Sequence, residues 1–118
     1  MTNQLTAHLE NWSVAHFGPP LDFYVLVGIV SGHHRLNDGN VAVTSDVCLL
    51  ATDLSYAITS SSGRKYSLGH QGDITVKGLK VLASTAFVWQ VPDDVPIRTN
   101  VDPQEISGMT LKNPEVRH

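Results

Sequence analysis

Charged side chains are scarce in this chain of 118 residues, since Asp, Glu, Lys and Arg make up only 16% of it. The eight Lys and Arg and the eleven Asp and Glu give a formal net charge of −3, and the one adjacent basic pair is Arg64-Lys65. Proteins that bind nucleic acids rely on clustered cations. The charge balance therefore argues against a nucleic-acid partner, while a thinly charged surface is compatible with contacts to another protein.

Cysteine is almost absent as well. Cys48 is the single cysteine, so no disulfide can form within the chain, and its apolar neighbours predict a buried side chain rather than a reactive thiol. A free thiol is typical of a reducing compartment. No cationic segment followed by an apolar run opens the sequence, and the apolar run 23–30 is far shorter than the roughly 20 residues of a membrane helix. We therefore predict a cytoplasmic protein.

The usual motifs of catalysis are missing too. The sequence contains no Gly-x-Ser-x-Gly elbow and no glycine-rich phosphate loop ahead of a helix. It has six histidines, but no three of them fall close together at the spacing of zinc ligands. We therefore predict a protein that is not an enzyme and that needs no metal or cofactor.

Residues 3–17 are predicted to form an amphipathic helix. Leu5, Leu9 and Trp12 recur at helical spacing, and the sequence Gly-Pro-Pro at 18–20 would end a helix abruptly. The helix is expected to pack these apolar side chains on a sheet.

The rest of the chain up to residue 91 is predicted to be β-structure, with strands at 22–36, 41–51, 56–59, 64–68, 74–76 and 79–91. The first strand is rich in β-branched and aromatic residues and apolar on both faces, as in the centre of a sheet. Gly28 within it indicates a bulge or the close approach of another backbone. A turn at Ser62-Gly63 would join the third and fourth strands, with Tyr56, Ile58, Tyr66 and Leu68 on one face.

A polar segment, 31–40, separates the first two predicted strands. Asp38-Gly39 is a strong signal for a two-residue hairpin turn, which would place His33 opposite Thr44. Because side chains alternate along a strand, His33 and His34 are expected on opposite faces of the sheet. That divergence argues against a shared metal or catalytic centre in the hairpin.

The tip of this hairpin is the candidate binding site. Residues carried on a loop by a rigid scaffold are often the ones that bind. The candidate residues at the tip are His33, His34, Arg35 and Asp38, and His70 and Tyr66 are candidates for further ligand contacts.

These elements predict an α+β domain over residues 1–91, with the N-terminal helix packed on a curled antiparallel sheet or a small SH3-like barrel of five to six strands. A sandwich with the helix as an appendage is the alternative. The Pro-rich segment 92–118 is predicted to be an extended C-terminal arm, partly ordered against the domain. Because an arm or a sheet edge can add to the sheet of another chain, a homodimer formed through either one is an open alternative.

Residues 27–69 resemble a family of small, uncharacterised bacterial and phage-associated proteins. The shared pattern is Gly-His-x-Arg-Leu-x-Asp-Gly, then Thr-Ser, then Tyr-x-Leu-Gly, found here at 32–39, 44–45 and 66–69. The histidine of the pattern falls on His33. The resemblance implies a bacterial or phage context and no particular activity.

Two hypotheses for the function follow. The first is a non-enzymatic protein-binding module that uses the hairpin tip or the sheet face beside it, for which an inhibitor of a host bacterial system, made by a phage or mobile element, is a natural form. The second is a small-molecule or nucleotide-binding domain in which His33, Arg35 and His70 converge on an anionic ligand. The two hypotheses differ in whether these three side chains line one pocket or point onto separate surfaces.

Overall fold

A computed structural model describes residues 6–33, 35–60 and 64–109. Within these residues the chain forms a small α+β domain that contains one mixed sheet and one α-helix. The strands are β1 (Thr6–Phe17), β2 (Phe23–Ser31), β3 (Val41–Val43), β4 (Val47–Leu50), β5 (Tyr56–Thr59), β6 (Lys65–Leu68) and β7 (Ile97–Val101). Helix α1 (Val76–Val88) lies between β6 and β7, and a short 3-10 helix (Pro103–Glu105) follows β7.

Strand β1 lies at the centre of the sheet, whose order is β3-β2-β1-β6-β5-β4. It pairs antiparallel with β2 over most of its length and parallel with β6 at its N-terminal end. Its C-terminal end also pairs antiparallel with β7. The sheet is therefore mixed, and the predicted purely antiparallel sheet is wrong.

The predicted N-terminal helix is also wrong, because residues 6–17 form β1. The strand has a bulge, in which Asn11 adopts a left-handed conformation (φ 55°) and the pairing register shifts between Glu10 and Ser13. A bulge adds a residue and so reverses the alternation of side chains beyond it. Leu9 and Trp12, three positions apart, consequently face the same core cluster. This spacing has the appearance of a helical repeat in the sequence.

Gly28 of β2 lies opposite this bulge, as predicted. A Cβ atom at position 28 would lie 3.2 Å from the carbonyl oxygen of Glu10 and 3.2 Å from Trp12 Cα. Glycine is therefore required by the close approach of the β1 backbone.

Residues 74–76 and 79–91, predicted as strands, instead form and flank α1. Thr75 caps the helix, since its hydroxyl accepts a hydrogen bond from the backbone N–H of Gly78 at 3.0 Å. Leu82 is buried against the sheet, whereas Phe87 and Val88 are exposed. Because apolar residues also occur on the exposed side of α1, the sequence shows no single apolar stripe with a helical period.

The core has two clusters of buried side chains on the two faces of the sheet. The larger comprises Ala7, Leu9, Trp12, Val14, Leu26, Val30, Ala42, Val47, Leu50, Ala57, Tyr66, Val101 and Ile106. The smaller lies under α1 and comprises Ala15, Phe17, Val25, Val27, Leu82 and Val95. Three of these residues, Val95, Val101 and Ile106, belong to the Pro-rich segment, so its described part contributes to both clusters.

The connection between β2 and β3 is longer than the predicted two-residue turn. Strand β2 ends at Ser31, and its pairing with β3 places Ile29 opposite Val41. The predicted register of this hairpin, and with it the predicted strand extension to residue 36, is therefore wrong. Gly39 is still part of the turn, with φ 89° and its N–H bonded to the carbonyl of Val30 at 2.8 Å.

The remaining strands differ from prediction in detail. The predicted strand 41–51 is interrupted after β3, where the hydroxyl of Thr44 accepts a hydrogen bond from the N–H of Leu26. The β5–β6 hairpin is confirmed. The predicted face of β5 is wrong, however, because Ala57, and not Tyr56 or Ile58, lies with Tyr66 on the buried face. Residues 61–63 of its turn lie outside the described residues. Cys48 is only partly buried.

Candidate functional site

The predicted tip is a loop, 32–40, held by its own side chains. Asp38 Oδ1 accepts a hydrogen bond from the N–H of Gly32 at 2.9 Å. His33 Nδ1 accepts hydrogen bonds from the N–H groups of Arg35 (3.0 Å) and Leu36 (3.3 Å). These bonds use Asp38 and His33 to shape the loop, while the side chains of Arg35 and Leu36 are exposed. His34 lies outside the described residues.

The structure brings His33 to Tyr66 but does not bring His70 to them. The rings of His33 and Tyr66 have centroids 6.4 Å apart, and burial raises the pKa of the Tyr66 hydroxyl. Tyr66 is paired with Ala7 on the face of the larger cluster. His70 is hydrogen-bonded to Glu10. The adjacent Leu9 faces the larger cluster, and because side chains alternate along a strand, Glu10 lies on the other face of β1. His33 and His70 therefore lie on opposite faces of the sheet.

A chain of polar side chains crosses the exposed face of β1 and β6. Ser67 Oγ lies 2.8 Å from His8 Nδ1, and His8 Nε2 lies 3.0 Å from Glu10 Oε1. The other carboxylate oxygen, Glu10 Oε2, accepts hydrogen bonds from the backbone N–H (2.9 Å) and the ring Nδ1 (2.6 Å) of His70. These bonds, first the one from His8, lower the pKa of Glu10 to about 2.

The order Ser67-His8-Glu10 resembles the arrangement in which a base activates a hydroxyl. With both carboxylate oxygens of Glu10 accepting, His8 Nε2 carries the proton and His8 Nδ1 accepts from Ser67. A hydrolase also needs free N–H donors for a developing oxyanion. Here the neighbouring N–H groups are occupied, since Gly69 donates to Leu9 O at 2.8 Å and His70 donates to Glu10. The arrangement therefore anchors the loop after β6 to β1.

A second polar network holds the Pro-rich segment to the sheet. His16 Nε2 donates to Asp22 Oδ1 at 2.8 Å, and His16 Nδ1 accepts from Arg98 Nη2 at 3.1 Å. Arg98 and Tyr24 both donate to Glu105 Oε2, at 2.8 and 2.7 Å. Burial, with the hydrogen bond to Glu105, raises the pKa of Tyr24 to about 12, while Arg98 lowers the pKa of Glu105.

Neither network has the geometry of a metal centre. Across the three described ranges, no group of three or more His, Cys, Asp and Glu side chains is arranged to hold a metal ion. The same ranges contain no helix long and apolar enough to cross a membrane.

Comparisons with known proteins give no relative from which a function could be inferred. No protein family, curated protein or solved structure matches this chain.

The three most exposed large apolar side chains of the described residues lie on α1. Phe87 is 84% exposed, Val88 73% and Val76 70%, and Leu79 is exposed beside them. Leu82, which packs on the sheet, lies six positions from Val76 and five from Phe87 and so points away from both. This outward face of α1 was not predicted, because residues 74–76 and 79–91 were expected to form strands whose neighbours in a sheet would cover them.

Two grooves flank this outward face. One is lined by Lys77 and Lys80 together with Val88 and Trp89. The other is lined by Ala83, Phe87, Gln90, Asp93, Val95 and Ile97, among others. The apolar centre therefore has a basic groove on one side and a groove with an acidic residue on the other.

Proposed function

We propose that this protein is a non-enzymatic protein-binding module and that the outward face of α1 makes the contact. The observation that carries the proposal is the exposure of Phe87, Val76 and Leu79 along one face of α1, with Val88 exposed on an adjoining side of the helix. Soluble monomers rarely leave contiguous apolar surface uncovered, and such surface marks sites of interaction. A large aromatic side chain at the centre of a patch is typical of the residues that dominate binding energy.

The rim of this face indicates the chemistry of the partner. Lys77 and Lys80 are exposed in the N-terminal half of α1, which contains no acidic residue in its first turn. Positive charge at the N-terminal end of a helix is unfavourable because of the helix dipole. A partner with an apolar centre and carboxylates at its edge would cover Phe87 and compensate these two lysines.

The alternative of a small-molecule or nucleotide site has less support. It requires His33, Arg35 and His70 to converge, whereas His33 and His70 belong to opposite faces of the sheet. A role as a phage or mobile-element inhibitor of a host bacterial system stays a prediction from the family resemblance.

Site-specific photo-crosslinking tests the proposal. A photoreactive amino acid is placed at position 87, at position 36 in the hairpin tip, and at position 52, an exposed turn position that serves as control. We expect a crosslinked protein product at position 87 in bacterial cells, absent at 52 and lost when Val88→Lys is added. A product at 36 and not at 87 would move the contact to the hairpin tip, and no product at either position would refute a protein-binding role.

A further inference from the structure

We infer that the partner of the outward α1 face is a second copy of this chain, with two α1 helices packed antiparallel about a two-fold axis near Ala83. The inference depends on the proposed function, because it identifies the protein that this face binds. It differs from the sheet-edge and arm-mediated dimers considered from the sequence, since neither of those buries α1.

The spacing of the exposed residues fits a helix–helix seam. Val76, Leu79, Ala83 and Phe87 are three or four positions apart, so they form one stripe along α1. Packing of such ridges between two helices requires small residues where the axes approach most closely. Ala83 is such a small residue, and it lies at the middle of the stripe. Phe87 and Leu79 lie equally far from Ala83 on its two sides, so an antiparallel partner places the Phe87 ring of one copy against Leu79 of the other.

The charges on the two ends of α1 are self-complementary. Lys77 and Lys80 lie in its N-terminal half, and Asp93 and Asp94 are exposed just beyond its C-terminal end. Within one chain this arrangement opposes the helix dipole at both ends. In an antiparallel pair the aspartates of each copy lie at the same end of the seam as the lysines of the other, and the N-terminal end of each helix dipole lies beside a C-terminal end. A parallel pair would instead bring like charges together.

The grooves beside the stripe determine which sides of the two copies meet. The basic groove contains Lys77 and Lys80 next to Val88, while the groove with Asp93 contains Ala83 and Phe87. A two-fold axis exchanges the two copies, so each copy supplies the same patch to the other. Each groove stays on its own side of the seam, and the opposite charges of the two copies therefore share an end of the seam and not a groove.

The size of the seam sets the expected strength. The 13 residues of α1 extend about 20 Å, and with a helix width of about 10 Å the outward face offers about 200 Å², well below the roughly 800 Å² per partner of a standard interface. We therefore expect a weak, reversible dimer that forms below millimolar concentration and is weakened by salt, because exposed charge pairs are screened.

Sedimentation equilibrium of the full chain tests the inference. We expect the wild-type chain to be a reversible dimer, and Phe87→Lys to be a monomer with an unchanged circular dichroism spectrum. Leu36→Lys, which adds the same charge at an exposed apolar residue of the hairpin loop, is the matched control and should still dimerise. A wild-type chain that stays monomeric up to millimolar concentration would overturn the inference.

A charge exchange tests the antiparallel arrangement itself. The double variant Lys77→Glu/Lys80→Glu and the double variant Asp93→Lys/Asp94→Lys should each dimerise at least about tenfold more weakly, since like charges meet at both ends of the seam. An equimolar mixture of the two should form a heterodimer of wild-type strength, because every contact in it is again between opposite charges. If the mixture is as weak as its components, the antiparallel arrangement is wrong.

The outcomes separate this inference from the proposed function. A monomeric wild-type chain that still gives a crosslink at position 87, of a mass other than twice that of the chain, would refute the second copy and support a different protein on the same face. Absence of both the dimer and the crosslink would refute both.

Discussion

Helix α1 is attached to the sheet mainly through one buried leucine, and this attachment can be tested separately from binding. Leu82 is 3% exposed and packs in the smaller cluster with residues of β1 and β2, such as Phe17 and Val27. Phe87 lies on the opposite face of the same helix and is open to solvent. We predict that Leu82→Ala strongly destabilises the fold and that Phe87→Ala does not.

The expected cost of Leu82→Ala follows from the atoms removed. Leucine has three more side-chain carbons than alanine, worth about 2.4 kcal/mol at about 0.8 kcal/mol per buried methylene. The cavity left behind adds to this loss, so we expect about 3 kcal/mol, within the range of about 2–5 kcal/mol for buried leucines. Domains of this size have total stabilities of about 5–15 kcal/mol. The substitution therefore removes a large share of the free energy of unfolding.

Urea unfolding at low protein concentration measures both variants. With a slope of about 2 kcal/mol per molar urea, a loss of about 3 kcal/mol lowers the midpoint by about 1.5 M. The control Phe87→Ala should stay within about 0.5 kcal/mol of the wild type. Fluorescence reports on both clusters, since Trp12 is buried in the larger one and Trp89 directly follows α1. Equal losses for the two variants would show that α1 is not oriented as described.

Three further predictions concern the polar networks and the bulge. Hydrogen bonds, chiefly from His8, lower the pKa of Glu10 from 4.5 to about 2, so the stability it contributes is complete above pH 4.5 and is lost as the pH falls toward 2. Urea midpoints measured over this range should fall less steeply for Glu10→Gln, and identical slopes would contradict the network. Tyr24, whose pKa is raised to about 12, mainly by burial, should ionise last in an ultraviolet titration, with its stabilising effect lost between pH 10 and 12. Glu105→Gln should remove only part of this upward shift, because burial remains, and a fully normal pKa would contradict that order of causes. Gly28→Val should cost about 1–3 kcal/mol by overpacking against β1, as measured by urea unfolding, and a neutral effect would refute the close approach.

The bulge in β1 explains why a helix was predicted for this segment. Leu9 and Trp12 would lie on opposite faces of a regular strand, and the bulge at Asn11 brings them to the same face. This bulge places Asn11 in a left-handed backbone conformation opposite β2. Nothing in the composition of residues 6–17 indicates it, whereas Gly28 in that partner did indicate a close approach.

The two hairpins were predictable to different degrees. The β5–β6 hairpin has short strands and was found at its predicted place. In the β2–β3 connection, Asp38-Gly39 was recognised as a turn, but the side chains of His33 and Asp38 bond to backbone N–H groups across the loop and enlarge it. Side-chain bonds of this kind compete with strand pairing. The position of the polar tip could be predicted, while the pairing that follows it could not.

The polar networks depend on contacts that are distant in the sequence. Glu10 meets His70 only because β1 and β6 are parallel neighbours, and His16 meets Arg98 only because β7 pairs with β1. Composition and local spacing carry no information about which strands become neighbours. The candidate residues at the hairpin tip could be named from sequence because they are adjacent in it.

The failure to predict α1 and the evidence for a binding face have the same physical origin. A helix that covers a monomer's core has apolar residues toward the core and polar ones toward solvent, and this contrast produces the helical period. In α1 the outward positions Val76, Leu79 and Phe87 are as apolar as the inward Leu82, so the contrast disappears. A helix with apolar residues toward both the core and the outside is typical of one that is covered on both sides. The sheet covers only one side of α1, and this is why we propose a partner for the other.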